Sequence, residues 1–135
     1  PSAGAKCTAR GMAKLAAAMA CGGRLRGKKV LSEVAHQKLH DGIETRNMAF
    51  IDTAFSQGGI NYFGGKGIGS DVLNDGLHKG REGFFGWMGL GGSIFQWHPE
   101  LKIGFAYIPT SLNILDVVNS RGKIYQEVVR ECVEG

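Results

Sequence analysis

Three cysteines, Cys7, Cys21 and Cys132, are all that the 135 residues contain, and no two form a CxxC pair. An odd, widely spaced set provides neither a thiolate metal cluster nor a disulfide framework, and it fits a reducing, intracellular compartment, whether cytoplasm or organelle. No apolar run approaches the roughly 20 residues of a membrane span. Blocks of charge are also missing. The formal charge of +4 comes from scattered Lys and Arg, and the densest stretch is Arg24-Leu25-Arg26-Gly27-Lys28-Lys29. No aromatic-rich RNA-binding signature accompanies it, so it reads as a solvated turn and nucleic acid is not an expected partner. The chain opens Pro1-Ser2-Ala3-Gly4 without an initiator methionine or a signal peptide, and it reads as a piece cut from a longer protein.

Glycine is what the chain has in excess: 22 residues, against a background of about 7%. They cluster at 64–69 and 83–92 with no collagen-like period. The richer cluster, Gly83-Phe84-Phe85-Gly86-Trp87-Met88-Gly89-Leu90-Gly91-Gly92-Ser93, runs into Ile94-Phe95-Gln96-Trp97. A glycine-lined entry to a β-branched and aromatic strand lets backbone approach backbone or ligand closely. Leu101, Ile103, Phe105 and Tyr107 alternate with smaller or polar residues at a period of two, and His98-Pro99-Glu100 supplies a turn between. Residues 91–108 are therefore an antiparallel hairpin.

Helices are expected on either side. Over 8–21, Thr8 is an N-cap, Met12, Leu15, Ala16 and Met19 share a face, and Gly22-Gly23 stops the helix. Ser32 caps a short surface helix to about residue 40. A last helix begins near Asn119-Ser120, with Ile124, Val128 and Cys132 repeating every four residues as the stripe expected to bury against the hairpin. Residues 41–79 lack clean periodicity; 48–55 is a strand or a single helical turn, and 59–63 a second short strand. The fold class is α+β, an antiparallel sheet with an N-terminal and a C-terminal helix packed on it.

Candidate chemistry is sparse. His36 and His40 sit one helical turn apart, but Gln37 stands where a metalloprotease helix carries glutamate, so they read as two exposed histidines. The 64–70 loop has its lysine ahead of the last glycines, the wrong order for a P-loop. Ser120 and Lys123 fit S-x-x-K spacing, yet Ser120 is the natural cap of the last helix. His78 and His98 fall in loops without a recognisable partner. No metal and no cofactor are expected.

Pro1 to Gly4, Thr8-Ala9-Arg10-Gly11-Met12-Ala13-Lys14-Leu15, Gly22-Gly23 and Leu31-Ser32 resemble the late helical segment of the serine β-lactamase-like family, which holds class C β-lactamases, related esterases and penicillin-binding-protein relatives. Phe85 to Ser93, with the strand through Lys102 to Tyr107, resembles the segment around that family's third motif. The similarity spans nearly the whole chain and is weak between 41 and 79. It implies that residues 1–135 are a single C-terminal portion of a β-lactamase/transpeptidase-like domain, whose parent is a serine hydrolase acting on an ester, amide or peptide bond. Trp87-Met88-Gly89 takes the third-motif position at the start of an edge strand, as in the esterase-type members, and the Leu90 N–H would be an oxyanion-hole donor. The site residues so implied are Trp87, Gly89 and Leu90; Trp87 is equally readable as a packing aromatic. The family's nucleophile motif is expected upstream, so this chain alone should be inactive. Its expected partners are the remainder of the parent and, through a raw sheet edge, other copies of itself. The alternative is a non-catalytic scaffold that kept the fold and lost the chemistry.

Overall fold

The computed structural model describes residues 5–48 and 50–135; the opening Pro1 to Gly4 of the resemblance lies outside them. Thr8 caps α1 (Ala9–Ala20) by accepting the Gly11 N–H at 3.1 Å. The helix closes with the Gly23 N–H on the Ala18 carbonyl, a wrap made possible by positive φ at Gly22 and Gly23. A small ribbon of β1 (Arg24–Leu25) and β2 (Lys28–Lys29) follows, then α2 (Glu33–His40), capped by Ser32.

The open stretch resolves into β3 (Glu44–Met48), β4 (Ile51–Phe55), β5 (Asn61–Tyr62) and α3 (Val72–His78). Of the two readings of 48–55, the strand is right. Next come β6 (Phe85–Met88), β7 (Ile94–His98), β8 (Ile103–Tyr107) and α4 (Ser120–Glu134). The strands β3 to β8 form one antiparallel sheet in sequence order. The molecule is thus α+β, with a helix near each end of the chain.

The expected hairpin is present as β7 and β8, registered from Ile94 opposite Tyr107 to His98 opposite Ile103. Its turn takes four residues, 99–102, and Lys102 adopts φ +57°, so Leu101 belongs to the turn and not to the strand. It still packs, from the turn, against the Phe63, Phe84, Ile94, Ile103 and Phe105 cluster.

That cluster is one of two cores, one on each sheet face. The other joins Ala16 and Ala20 of α1 to Ile60, Phe85 and Trp97. Helix α1 lies so close to β8 that a Cβ on Gly104 would fall inside the backbone of Ala16 and Ala17. Alanines line that seam, with Met19 half-buried beside them. Leu15, expected in the core, is 49% exposed, while Ala16 and Ala20 are buried. Helix α2 joins the same face: the Trp97 indole donates to His40 Nε2 at 2.8 Å, and His40 Nδ1–H reaches the His36 carbonyl at 2.7 Å.

Helix α4 corrects the sequence reading most. It touches the sheet through Gly122, packed on Ile94 and Tyr107, and through Gln126, whose amide donates to Gln96 Oε1 at 2.7 Å. The stripe of Ile124, Val128 and Cys132 faces outward instead. The reason is polar: Gln126 also accepts from Arg81, a fully buried side chain that fixes which face of α4 turns inward. Val128 is 52% exposed, so Val128→Asp should melt close to the parent chain, as should Glu127→Asp. Thermal melts by circular dichroism check this. A large loss in Val128→Asp alone would mean that the stripe is covered in solution.

Candidate functional site

The glycine-rich strand entry leads into a cleft of about 200 Å³. Its walls are mostly apolar, with Ile51, Phe63, Leu77, Met88 and Val117 among them, and its polar groups include Asn61, His78 and Asn119. Gly89 and Leu90 lie on its rim. Trp87 does not: alternation along β6 sends its side chain to the face opposite Met88, where its ring sits 5.8 Å from that of Phe55 and is 47% exposed. The structure therefore brings together two of the three residues that the sequence singled out. Strand β6 is interior in the sheet order, not the edge strand that the resemblance implied. Locally, however, β5 pairs only with Phe85 and Gly86, so beyond Gly86 the strand has β7 on one side alone.

The segment after β6 is a tight turn. Gly89 N–H donates to the Ser93 carbonyl at 2.8 Å and Gly92 N–H to the Gly89 carbonyl at 3.1 Å. The Leu90 N–H donates to no atom among the described residues. Two side chains from the start of α4 clamp the turn. Asn119, buried and left-handed at φ +54°, turns its side-chain amide toward the carbonyls of Gly89, Gly92 and Ser93, 3.2 Å from each; oriented with its nitrogen toward them, that amide donates to the turn. Arg121 donates to the Gly91 carbonyl at 3.1 Å and is oriented by Asp116. Asn119 holds the N-cap position of α4 without a side-chain cap bond, and Asp116 supplies the capping contacts instead, accepting from the Ser120 N–H and from the Ser120 hydroxyl at 2.7 Å each. Burial pushes its carboxyl pKa up, but the bonds from Ser120 and Arg121 outweigh this and hold it below the usual range.

This arrangement corrects the role of Ser120, which donates to Asp116 and does not serve as the cap itself. It also separates Ser120 from Lys123, whose ammonium donates to the Gly76 carbonyl at 3.3 Å. Among the described residues no serine, cysteine or lysine lines the cleft. The glycines of the turn hold the geometry by conformation: Gly91 and Gly92 stand at φ +105° and +110°. Gly92→Val should lower the melting temperature, because a β-branched residue rarely enters that region and its Cβ would also press on Arg121. Melts of Gly92→Val that overlay the parent would show that the turn reshapes freely.

His78, which the sequence left in a loop, ends α3 and is buried beside the cleft, its Nε2 at 3.1 Å from the Asp52 carbonyl. Asn61 Oδ1 is buried with no partner among the described residues. No sequence signal marks His78, Asn61 or Asn119, because each reaches the cleft only through tertiary packing. The histidine pair is likewise not exposed as expected: His36 and His40 are half-buried and both spend ring nitrogens on backbone or Trp97. Among the described residues no group of three or more His, Cys, Asp or Glu is placed to hold a metal. In the 64–70 loop, the Gly69 N–H already donates to Asp52 Oδ2 at 2.9 Å, so a carboxylate occupies the place a phosphate would take. No helix among the described residues is long and apolar enough to cross a membrane.

Burial lowers the pKa of His40, His78 and His98 below the ordinary 6.5. The folded chain thus binds these protons less readily than the unfolded chain does. Their contribution to stability is complete above pH 6.5 and is lost as the pH falls below it. Melting temperatures should drop on acidification from neutrality, before the carboxylates near the ordinary 3.8 begin to protonate. A flat profile across the histidine range would contradict these burials.

Comparison with protein-family models, with curated proteins and with solved structures returned no match.

Proposed function

We propose that the chain is the C-terminal portion of a β-lactamase-like serine hydrolase whose parent cleaves an ester, amide or peptide bond. In this reading the chain contributes one half of an oxyanion hole. The observation that carries it is the Leu90 N–H, unspent at the rim of the cleft in a turn whose Gly89, Gly91, Gly92 and Ser93 carbonyls face Asn119 and Arg121. A donor fixed before reaction costs no reorganisation when charge develops on a substrate oxygen, which is what makes such groups effective, each worth roughly 3–4 kcal/mol in a barrier. The nucleophile and base would come from an S-x-x-K helix in the parent, because the cleft itself holds neither. Without them the chain binds but does not turn over.

The test is labelling with an active-serine fluorophosphonate. The parent should label on an upstream serine, and this chain alone should not. Labelling of Ser120 in the isolated chain, abolished by Ser120→Ala, would sink the assignment.

A second reading, a non-catalytic self-associating module, draws support from the outward apolar stripe of α4. A parent that does not label, combined with concentration-dependent mass in sedimentation equilibrium, would favour it over the first.

A further inference from the structure

The hairpin of β1 and β2 is the densest run of cations in the chain. Arg24, Arg26, Lys28 and Lys29 supply four positive charges; the other twelve Lys and Arg balance the twelve Asp and Glu, leaving the net +4 in these six residues. The hairpin is also built against its own stability. Arg24 stands directly opposite Lys29, like charge facing like charge across a two-stranded ribbon. At the tip, Arg26 and Gly27 take φ +49° and +79°, a type I′ turn whose first position favours asparagine or glycine and here holds an arginine in the left-handed region. Arg24 has an ion pair, an exposed one with Glu33 at 3.5 Å; Arg26, Lys28 and Lys29 have none among the described residues.

We infer that this hairpin docks on an anionic phospholipid surface. Counter-charge from headgroups would relieve the opposed cations and reward the cation at the strained tip. Lipid is favoured over nucleic acid by the neighbours: no aromatic stands between residues 22 and 34 to stack a base, while Val30, 55% exposed, directly follows the ribbon and suits a bilayer interface. No residue of the ribbon lines the cleft, so docking leaves it free.

Co-sedimentation tests this with vesicles of phosphatidylcholine alone and of phosphatidylcholine containing about a third phosphatidylserine. Binding should need the phosphatidylserine and vanish in about 1 M salt, where the Debye length is about 3 Å. Each cation near the surface is worth about fivefold in partitioning, so Arg26→Asn with Lys28→Asn and Lys29→Asn should weaken it about a hundredfold. Arg26→Asn alone separates a binding role from a structural one. It should weaken binding about fivefold while holding or raising the melting temperature, since asparagine suits the turn. No binding, equal binding to both vesicles, an indifferent triple variant, or tighter binding to an oligouridylate RNA than to the vesicles would each overturn the proposal.

Discussion

Arg81→Met should cost this chain most of its stability. Arg81 is fully buried, and among the described residues no carboxylate lies within ion-pair distance of its guanidinium, Glu127 and Asp116 acting on it only from farther away. It donates instead to the carbonyls of Gly76, Leu77, Val118 and Asn119 and to Gln126 Oε1, at 2.8 to 3.3 Å. Two effects oppose one another. Burying a cation among dipoles is unfavourable, which is why desolvation lowers the Arg81 pKa to about 10, and methionine would remove that penalty. Methionine would also leave the Leu77 and Val118 carbonyls and Gln126 Oε1 without a donor, while the Gly76 and Asn119 carbonyls keep theirs from Lys123, and each buried orphan costs about 1–3 kcal/mol. Even the low end of that range, summed, reaches the roughly 3–5 kcal/mol seen when a buried charged network loses one member. A domain has only about 5–15 kcal/mol in total. Urea melts should therefore show a midpoint near zero or no folded baseline. Arg81→Lys should recover little, since one ammonium cannot span acceptors on α3, on α4 and in the 118–119 segment. If Arg81→Met melts with the parent chain, those carbonyls find water and the network is not a keystone.

The same network explains what the sequence could and could not reveal. Thr8, Ser32 and the glycine pair after α1 act through neighbours a few residues away, and they were legible. So was the β7–β8 hairpin, whose alternation is local. Strand β3 was not, because Glu44-Thr45-Arg46-Asn47-Met48 is a solvated edge in which burial imposes no period on the residues. Helix α4 misled in a more instructive way. Its apolar residues are periodic, but the face that docks is chosen by Gln126 meeting Gln96 and Arg81, partners 30 and 45 residues away. Periodicity reports which residues could be buried. It does not weigh a polar network that claims the other face.

The candidate site divides along the same line. Gly89 and Leu90 were visible because glycine at a strand entry advertises an unusual backbone path. Asn119, Asp116 and Arg121, which hold that path, read from sequence only as the beginning of a helix. They matter as a unit: Asp116 orients Arg121 and caps α4, α4 positions Asn119, and Asn119 and Arg121 meet the carbonyls of the turn that carries the undonated Leu90 N–H at the cleft. Arg81 reaches this unit through the Asn119 carbonyl, so core stability and the geometry of the turn are coupled.

Gly104→Val is the second substitution expected to have a large effect, and it tests the opposite face of the sheet. Gly104 lies in β8 across from Trp97, and its missing side chain is the space into which α1 settles. A Cβ there would overlap the backbone of Ala16 and Ala17, and backbone, unlike the end of a flexible side chain, cannot swing aside. The helix would have to lift off as a body. Lifting it opens the seam of Ala16 and Ala20 against Phe85 and Trp97, and so strips contacts from one of the two cores. Overpacking commonly costs about 1–3 kcal/mol where side chains can adjust. Here the cost should reach the top of that range or pass it. Gly104→Ala should already lose a large part of the same stability, because the first carbon makes the clash, whereas Ala106→Val two residues on, half-buried on the same face, should lose far less. Near-ultraviolet circular dichroism adds a local readout: Trp97, held between α1 and His40, should lose its fixed environment in Gly104→Val before the helical signal at far-ultraviolet wavelengths falls. Coincident melts of Gly104→Val and Ala106→Val would show that α1 stands farther from the sheet in solution than the packing at Gly104 requires.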